Sequence, residues 1–431
     1  MYTEKQDIKL LYRKIQGHRV TIDTRTIKKG DIFIGIKGEN FDGNAYAQEA
    51  LDKGAIVAII DNPKYKGENC IEVENSLKCL QQLAAYHRKI LNIPILGITG
   101  TNGKTTTKEL CKAVLSTKFT TFATEGNYNN HIGVPLTLLS MTKDTEFGIV
   151  EMGANHLGEI KELCDIADPD YAIITNIGYA HLEGFGCYEN IIATKNALYE
   201  HIIKKKGIIF VNKDNELLLN LSKEAKTYSY GTDGEFLKGE IKQNIPFLVY
   251  SIITPKGQLY IKTELVGEYN FENAMAASCL GLYFDIDPLK IQDAIESYKP
   301  SNLRSQLLKS EYNTIIIDAY NANPSSMDKA LENFDAIEHP NKVLILGQMG
   351  ELGKDTIRSH QEIVHKLIDI KSNTVILIGE NYSSLELPSH FIYLQNTDCL
   401  LEYLELNKIK DAMILVKGSR SNNLEKCIKQ L

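Results

Sequence analysis

The stretch Gly97–Leu110, GITGTNGKTTTKEL, has residue types and a spacing suited to holding phosphate. An apolar run, PILGIT, enters a turn containing Gly100 and Gly103, which delivers Lys104, Thr105, Thr106 and Thr107 to the start of an expected helix. The usual Gly-x4-Gly-Lys-Ser/Thr loop would need glycine at position 98, where Ile98 stands. The mechanism survives that departure, because glycines let backbone N–H groups turn toward an anion and a helix N-terminus adds about half a positive charge. On this reading Gly100, Thr101, Asn102, Gly103 and Thr106 form the cradle for ATP. Lys104 reaches its β- and γ-phosphates, and the Thr105 hydroxyl binds Mg²⁺.

Such a loop needs a carboxylate at a neighbouring strand end. FGIVEMG supplies Glu151, a charged residue closing an apolar run, where it is costly unless used. YAIITNIGYAHLEGFG ends another strand and brings His181 beyond it. A single histidine is weak evidence by itself; its place past a strand's carboxyl end, where α/β sheets bind ligands, makes it a candidate.

The elements that must position these residues read as α/β throughout. From residue 1 to 92, short strand-like runs (RVTIDTR, DIFIGI, AIVAII) alternate with polar turns, and SLKCLQQLAAYHRKIL spaces one apolar helical face, with Ser76 as its expected N-cap. From 93 to 301 strands and helices alternate in near-continuous apolar runs of parallel-sheet type, and FLVYSII and GQLYIKTEL read as antiparallel strands at a sheet edge. From 302 to 431 a second alternating series, NTIIIDAY through AMILVKG, reads as a Rossmann-like unit without the GxGxxG fingerprint of dinucleotide binding. The expectation is three α/β domains: a small N-terminal one, a central parallel-sheet ATPase and a C-terminal Rossmann-like one.

Composition narrows the partners. A chain of 431 residues exceeds the usual size of a single core. Its net charge of −7 gives no cationic field for nucleic acid or an anionic membrane, so phosphate must be gripped locally. Eight cysteines without a CxxC pair suggest neither zinc nor disulfides, and fit reduced thiols in the cytoplasm. No signal peptide or membrane span is expected, and a monomer is the default.

GTNGKTTT, GNYNNHIGVPLTLL, EMGANHLGEI, TNIGYAHLEGFG, YNFENAMAA, LRSQ, DAYNANPSSM and QMGELG, in this order, closely resemble the Mur ligases of peptidoglycan synthesis. The resemblance spans all three expected domains. DAYNANPSSM and QMGELG are similar to the members that add D-Ala-D-Ala to UDP-MurNAc-tripeptide, and the DNPR pattern of diaminopimelate-adding members is missing. The implied reaction is ATP-dependent: the peptide carboxylate becomes an acyl phosphate, then the dipeptide amine displaces phosphate. Charge stabilisation is its main requirement.

The resemblance also implies roles. Lys104 and Arg304 would face the transferring phosphate, Thr105 and Glu151 one Mg²⁺, and His181 a second. Lys195 aligns with the lysine the family carbamoylates, an anionic metal ligand; the family's Lys-x-Glu is interrupted here by Ala197. Asn270 and Asn273 would approach adenine, with helix N-capping as the alternative for Asn270. Asp318 would hold the ribose; Tyr320 would line the nucleotide, and Asn321 and Asn323 the dipeptide side. Asp23, Thr24 and Arg25, with Lys37, Gly38, Asp42 and Gly43, lie in turns that would contact uracil and diphosphate. Asn127, Asn129 and Asn130 would touch the muramoyl peptide. A hinge is expected near residues 301–304. Three alternatives stay open: a third-amino-acid Mur ligase, a folylpolyglutamate-synthetase-like ligase, which would lack the N-terminal domain, and a nucleotide switch that ligates nothing.

Overall fold

Three sheets, each built by consecutive sequence, organise the computed structural model, which describes residues 7–301 and 303–431. Asn302, at the expected hinge and domain boundary, and the first six residues lie outside the described residues.

The first sheet has four parallel strands in sequence order, Val20–Thr21, Ile32–Ile34, Val57–Ile60 and Cys70–Glu72. The helix Ser76–Leu91 follows, capped by Asn75 Oδ1, which accepts from Lys78 N–H, rather than by Ser76. Asn75 takes the cap because its backbone is extended there, whereas Ser76 is already helical and fully buried. This helix serves two cores: Cys79, Leu80 and Leu83 pack with the first sheet, and Ala84 packs in the central unit.

Nine strands form the central sheet, in the order Gly257–Lys262, Val249–Thr254, Leu237–Gln243, Lys226–Gly231, Ile208–Asn212, Tyr171–Ile174, Ile95–Thr99, Phe147–Glu151, Thr121–Ala123. The first three pair antiparallel at the edge, as the alternation of their sequences implies, and the remainder are parallel. The strand Ile95–Thr99, seventh in that order, is buried at every residue, so its apolar run needs no alternation. Ile98 pairs with Glu151 and Thr99 with Ile174, which makes three strands end level and release their loops side by side. That edge is where a doubly wound sheet binds ligands.

The third sheet is six-stranded, ordered Gln306–Lys309, Thr314–Asp318, Met413–Lys417, Lys342–Gly347, Thr374–Ile378, Ile392–Leu394, with only the first strand antiparallel. Its strand ends also align, Asp318 beside Lys417. The two larger sheets meet at these edges through an amide clasp: Asn323 Nδ2 donates to Asn102 Oδ1 at 3.0 Å, and Asn102 Nδ2 to Ser325 Oγ at 2.9 Å. Among the described residues no helix is long and apolar enough to cross a membrane, and all eight cysteines are free.

Arg88 fixes the entry to the strand Ile95–Thr99. It is 6% exposed and donates to the carbonyls of Ala167 and Asp168 and to Asp170 Oδ2, the same oxygen that accepts from Ile95 N–H. Arg88→Ala should leave the Ala167 carbonyl unpaired, while Asp168 O keeps Lys205 Nζ and Asp170 Oδ2 keeps Ile95 N–H, and cost about 1–3 kcal/mol, read as a melting temperature lowered by roughly 2–6 °C. An unchanged melting curve would show the clamp to be dispensable.

Candidate active site

The turn after Ile95–Thr99 is shaped by two glycines that no other residue could replace without displacement. Gly100 has φ +147°, and a Cβ there would lie 1.9 Å from Thr175 Oγ1; Gly103 has φ +80°, and a Cβ would meet Asn273 Oδ1 at 2.5 Å. The turn is stitched to the next strand's loop: Thr101 N–H donates to Asn176 O, Asn102 N–H to Asn176 Oδ1, and Thr101 Oγ1 to Gly178 O. Thr101 and Asn102 therefore use their N–H groups to brace the loop. The helix Lys104–Leu115 begins with no side-chain cap, so the N–H groups of its first turn lack intrahelical acceptors, and Lys104, Thr105 and Thr106 of that turn line a cavity.

That cavity has a volume of about 580 Å³ and lies between the central and C-terminal sheets. Residues 100–106 form one wall. Thr105 Oγ1 donates to Glu151 Oε2 at 3.0 Å, and Asn129 Nδ2 donates to Glu151 Oε1 at 2.8 Å, so hydroxyl and carboxylate converge beside the loop. Lys195, buried on the helix Tyr188–Lys205, donates to Gly100 O at 3.0 Å. Lys104 donates to the same carbonyl at 2.8 Å and to Thr101 O at 2.9 Å. Two ammonium groups thus share one acceptor. Burial pushes the Lys104 ammonium down to about 8, with Glu151 opposing and Arg304 adding to the shift. Burial, reinforced by Lys104, holds Lys195 well below the usual lysine range. Ala197, where a glutamate was expected, packs against the apolar core of the central unit.

Asn270 and Asn273 line the cavity and are tied together: Asn273 Nδ2 donates to Asn270 Oδ1, Asn270 Nδ2 to Val266 O, and Thr107 Oγ1 to Asn273 Oδ1. The helix cap is Tyr269, so Asn270 is no N-cap; its side chain reaches back to a carbonyl instead.

His181 lies on the opposite rim, its Nδ1 2.5 Å from Glu351 Oε2 of the C-terminal unit, and this neighbour holds the Glu351 carboxyl below the usual range. The Arg304 guanidinium stacks on Tyr320, 3.7 Å from the ring centre, with its buried Nε unpartnered. Asp318 is engaged by Lys417 Nζ at 2.5 Å and by Ser305 N–H. Asn323 caps the helix Pro324–Asp335, while Asn321 Oδ1 accepts from Ala322 N–H; both line the cavity. Asn127, Asn129 and Asn130 line it on the central side.

The N-terminal candidates do not line this cavity. Asp23 accepts from Arg25 N–H and pairs with the Arg25 guanidinium; Thr24 follows in the same turn. Lys37 and Asp42 bridge across a turn through Gly38, and Gly43 sits tight against Ile36. Several lining residues were missed. Lys417 ends the apolar run AMILVKG just as Glu151 ends FGIVEMG, so the same signal would have found it. Lys329, inside a helix, and Asn155, His156 and Glu159, in a loop and helix start, carried no comparable signal.

The Mur ligase middle-domain profile matches residues 98–281, the Mur ligase glutamate-ligase-domain profile 303–420, and the Mur ligase family catalytic-domain profile 16–88. The chain belongs to the Mur ligase family. It is similar to the UDP-N-acetylmuramoyl-tripeptide--D-alanyl-D-alanine ligase of Bacillus subtilis, 35% identical over 97% of this chain and 94% of that one. MurF from Acinetobacter baumannii superposes with a TM-score of 0.88 at 28% identity, over 98% of each chain. MurF ligase from Thermotoga maritima, solved in complex with ADP, gives 0.84 at 26% identity over 96% of each.

A depressed Lys104 loses its charge as pH rises through about 8, whereas an ordinary lysine keeps it to about 10. Affinity for ADP, measured by calorimetry, should therefore fall between about pH 7 and pH 9. Lys104→Arg, charged throughout, should flatten that dependence; a wild-type affinity constant across this range would contradict the role.

Proposed function

We propose that this chain is the ATP-dependent ligase that joins D-Ala-D-Ala to UDP-MurNAc-tripeptide and releases ADP and phosphate. The observation that carries the reading is the shared cavity: a phosphate loop and a strand-end carboxylate on one side, the strand-end Lys417 of a second sheet with Arg304 and Lys329 on the other. Near-full-length similarity to ligases of that name supplies the substrates and disfavours the third-amino-acid and folylpolyglutamate alternatives.

The terminal carboxylate of the tripeptide attacks the γ-phosphorus of ATP and ADP leaves, forming an acyl phosphate. The dipeptide amine then attacks the carbonyl carbon, loses a proton and expels phosphate. Both steps gather negative charge, and the uncapped N–H groups at the start of the helix Lys104–Leu115, with Lys104 and Arg304, stabilise it. Lys417 and Lys329 add cationic character on the C-terminal wall. Asn129 keeps the Glu151 carboxylate oriented toward Thr105.

Among the described residues no three of His, Cys, Asp and Glu gather to hold an ion. A hydroxyl and a carboxylate 3.0 Å apart, completed by nucleotide oxygens and water, fit the few protein ligands that Mg²⁺ takes. Mg²⁺ held there by Thr105 and Glu151 would neutralise phosphate charge; His181 and a carbamoylated Lys195 are the residues for a second ion. Lys195 suits carbamoylation because burial favours its neutral amine, the form that adds CO₂. The uracil and diphosphate fall to the turns at 23–25 and 37–43, the muramoyl peptide to Asn127 and Asn130. Since ATP and the sugar nucleotide are cytoplasmic metabolites, the cytoplasm is the place of action.

Omitting substrates one at a time tests the assignment. Phosphate release should need both UDP-MurNAc-tripeptide and D-Ala-D-Ala, and mass spectrometry should find a product heavier by two alanine residues. Phosphate release without the dipeptide would favour a nucleotide switch. The Lys195 peptide, isolated without acid, should be heavier by one CO₂; Lys195→Ala should lower kcat by about 100-fold or more, with bicarbonate unable to restore it.

A further inference from the structure

We propose that Glu351 is a positioning residue for the ligation: from the C-terminal unit, its carboxylate fixes the His181 ring of the central unit at the cavity rim. This rests on the functional reading above. Glu351 Oε2 lies 2.5 Å from His181 Nδ1, a buried nitrogen with no aligned hydrogen-bond partner, so the contact is a close ion pair that leaves Nε2 as the ring nitrogen able to meet a ligand in the cavity that His181 lines. A carboxylate held against one ring nitrogen favours the proton on that nitrogen and restrains the orientation of the other.

Backbone strain separates this pair from an incidental surface contact. His181 has φ +51° and Glu351 φ +60°, both left-handed, and glutamate is not among the residues that tolerate this region readily. The Glu351 side chain is 55% exposed, and an ion pair that open to water stabilises a fold too weakly to offset strain at both partners. The fold nevertheless holds the loop from both sides. Met349 N–H donates to His360 Nε2, whose buried ring is set by Nδ1 on Thr356 O; Gly350 N–H donates to Ser419 Oγ. After Glu351, Gly353, at φ +53°, packs closely against Glu183 in the short helix that His181 begins. Three anchors thus hold one strained carboxylate against one strained histidine.

Because the two belong to different sheets, the His181 ring is fixed only where the C-terminal unit is docked on the central one. Glycine is at ease at φ +60°, so Glu351→Gly removes the carboxylate while relieving strain. We expect Glu351→Gly to keep or raise the melting temperature yet lower kcat about 10-fold or more, with the KM for ATP within about twofold of wild type. Glu351→Gln, which retains an acceptor oxygen, should recover part of the rate. His181→Ala and the double variant should be equally slow, since Glu351 acts only through the ring.

In the ligand-free protein, ¹⁵N NMR should show the His181 Nδ1 resonance moving in Glu351→Gly. Full activity in Glu351→Gly, an additive double variant, or an unmoved His181 resonance would each overturn the proposal. If wild-type protein makes no dipeptide product, the functional reading fails by itself, and the resonance still decides whether Glu351 fixes the ring.

Discussion

Two lysine side chains on one carbonyl oxygen set the terms for this site. Lys104 and Lys195 converge on Gly100 O in a place that disfavours their charge. Two charges that close in low dielectric would repel strongly, so Lys195 is held toward its neutral amine and the site favours anions before any arrive. A polyphosphate satisfies one lysine, and conversion of the other to an anion removes the repulsion altogether. The glycines at 100 and 103 serve the same end: without side chains, the turn comes close enough to Thr175 and Asn273 for the lysines to be presented together.

The arrangement asks for level strand ends, and the parallel register supplies them. Pairing Ile98 with Glu151 and Thr99 with Ile174 places a carboxylate, a phosphate turn and the loop to His181 along one edge. The C-terminal sheet repeats the device with Asp318 beside Lys417. Each sheet therefore offers one row of functional groups, and the cavity exists because the two rows face each other across the Asn102–Asn323–Ser325 amides.

Much of this was legible in the sequence because the signals were local. A charged residue closing an apolar run marked Glu151, and double glycine before Lys104 marked the turn. Antiparallel edge strands were visible from alternation in FLVYSII and GQLYIKTEL. What escaped was relational. Lys329 sits on an ordinary helical stretch, and only the packing of two sheets turns it toward the cavity. Asn273 looks like a free amide in the sequence, yet its oxygen accepts from Thr107 and its nitrogen is committed to Asn270. Ser76 and Asn75 are equally good caps by type, and backbone conformation decides between them.

The helix Ser76–Leu91 carries a consequence for how the molecule comes apart. Its residues belong to two apolar clusters at once, and Arg88 at its end holds the first residue of the phosphate-loop strand through Asp170. The first two sheets are thereby fused into one cooperative folding unit, while the third is joined by amides, the His181–Glu351 pair and a smaller apolar contact in which Val266, Ile245 and Phe247 of the central unit meet its core. Heat or denaturant would release the C-terminal lobe before either of the others, and with it half the catalytic wall. Inactivation would then run ahead of global melting.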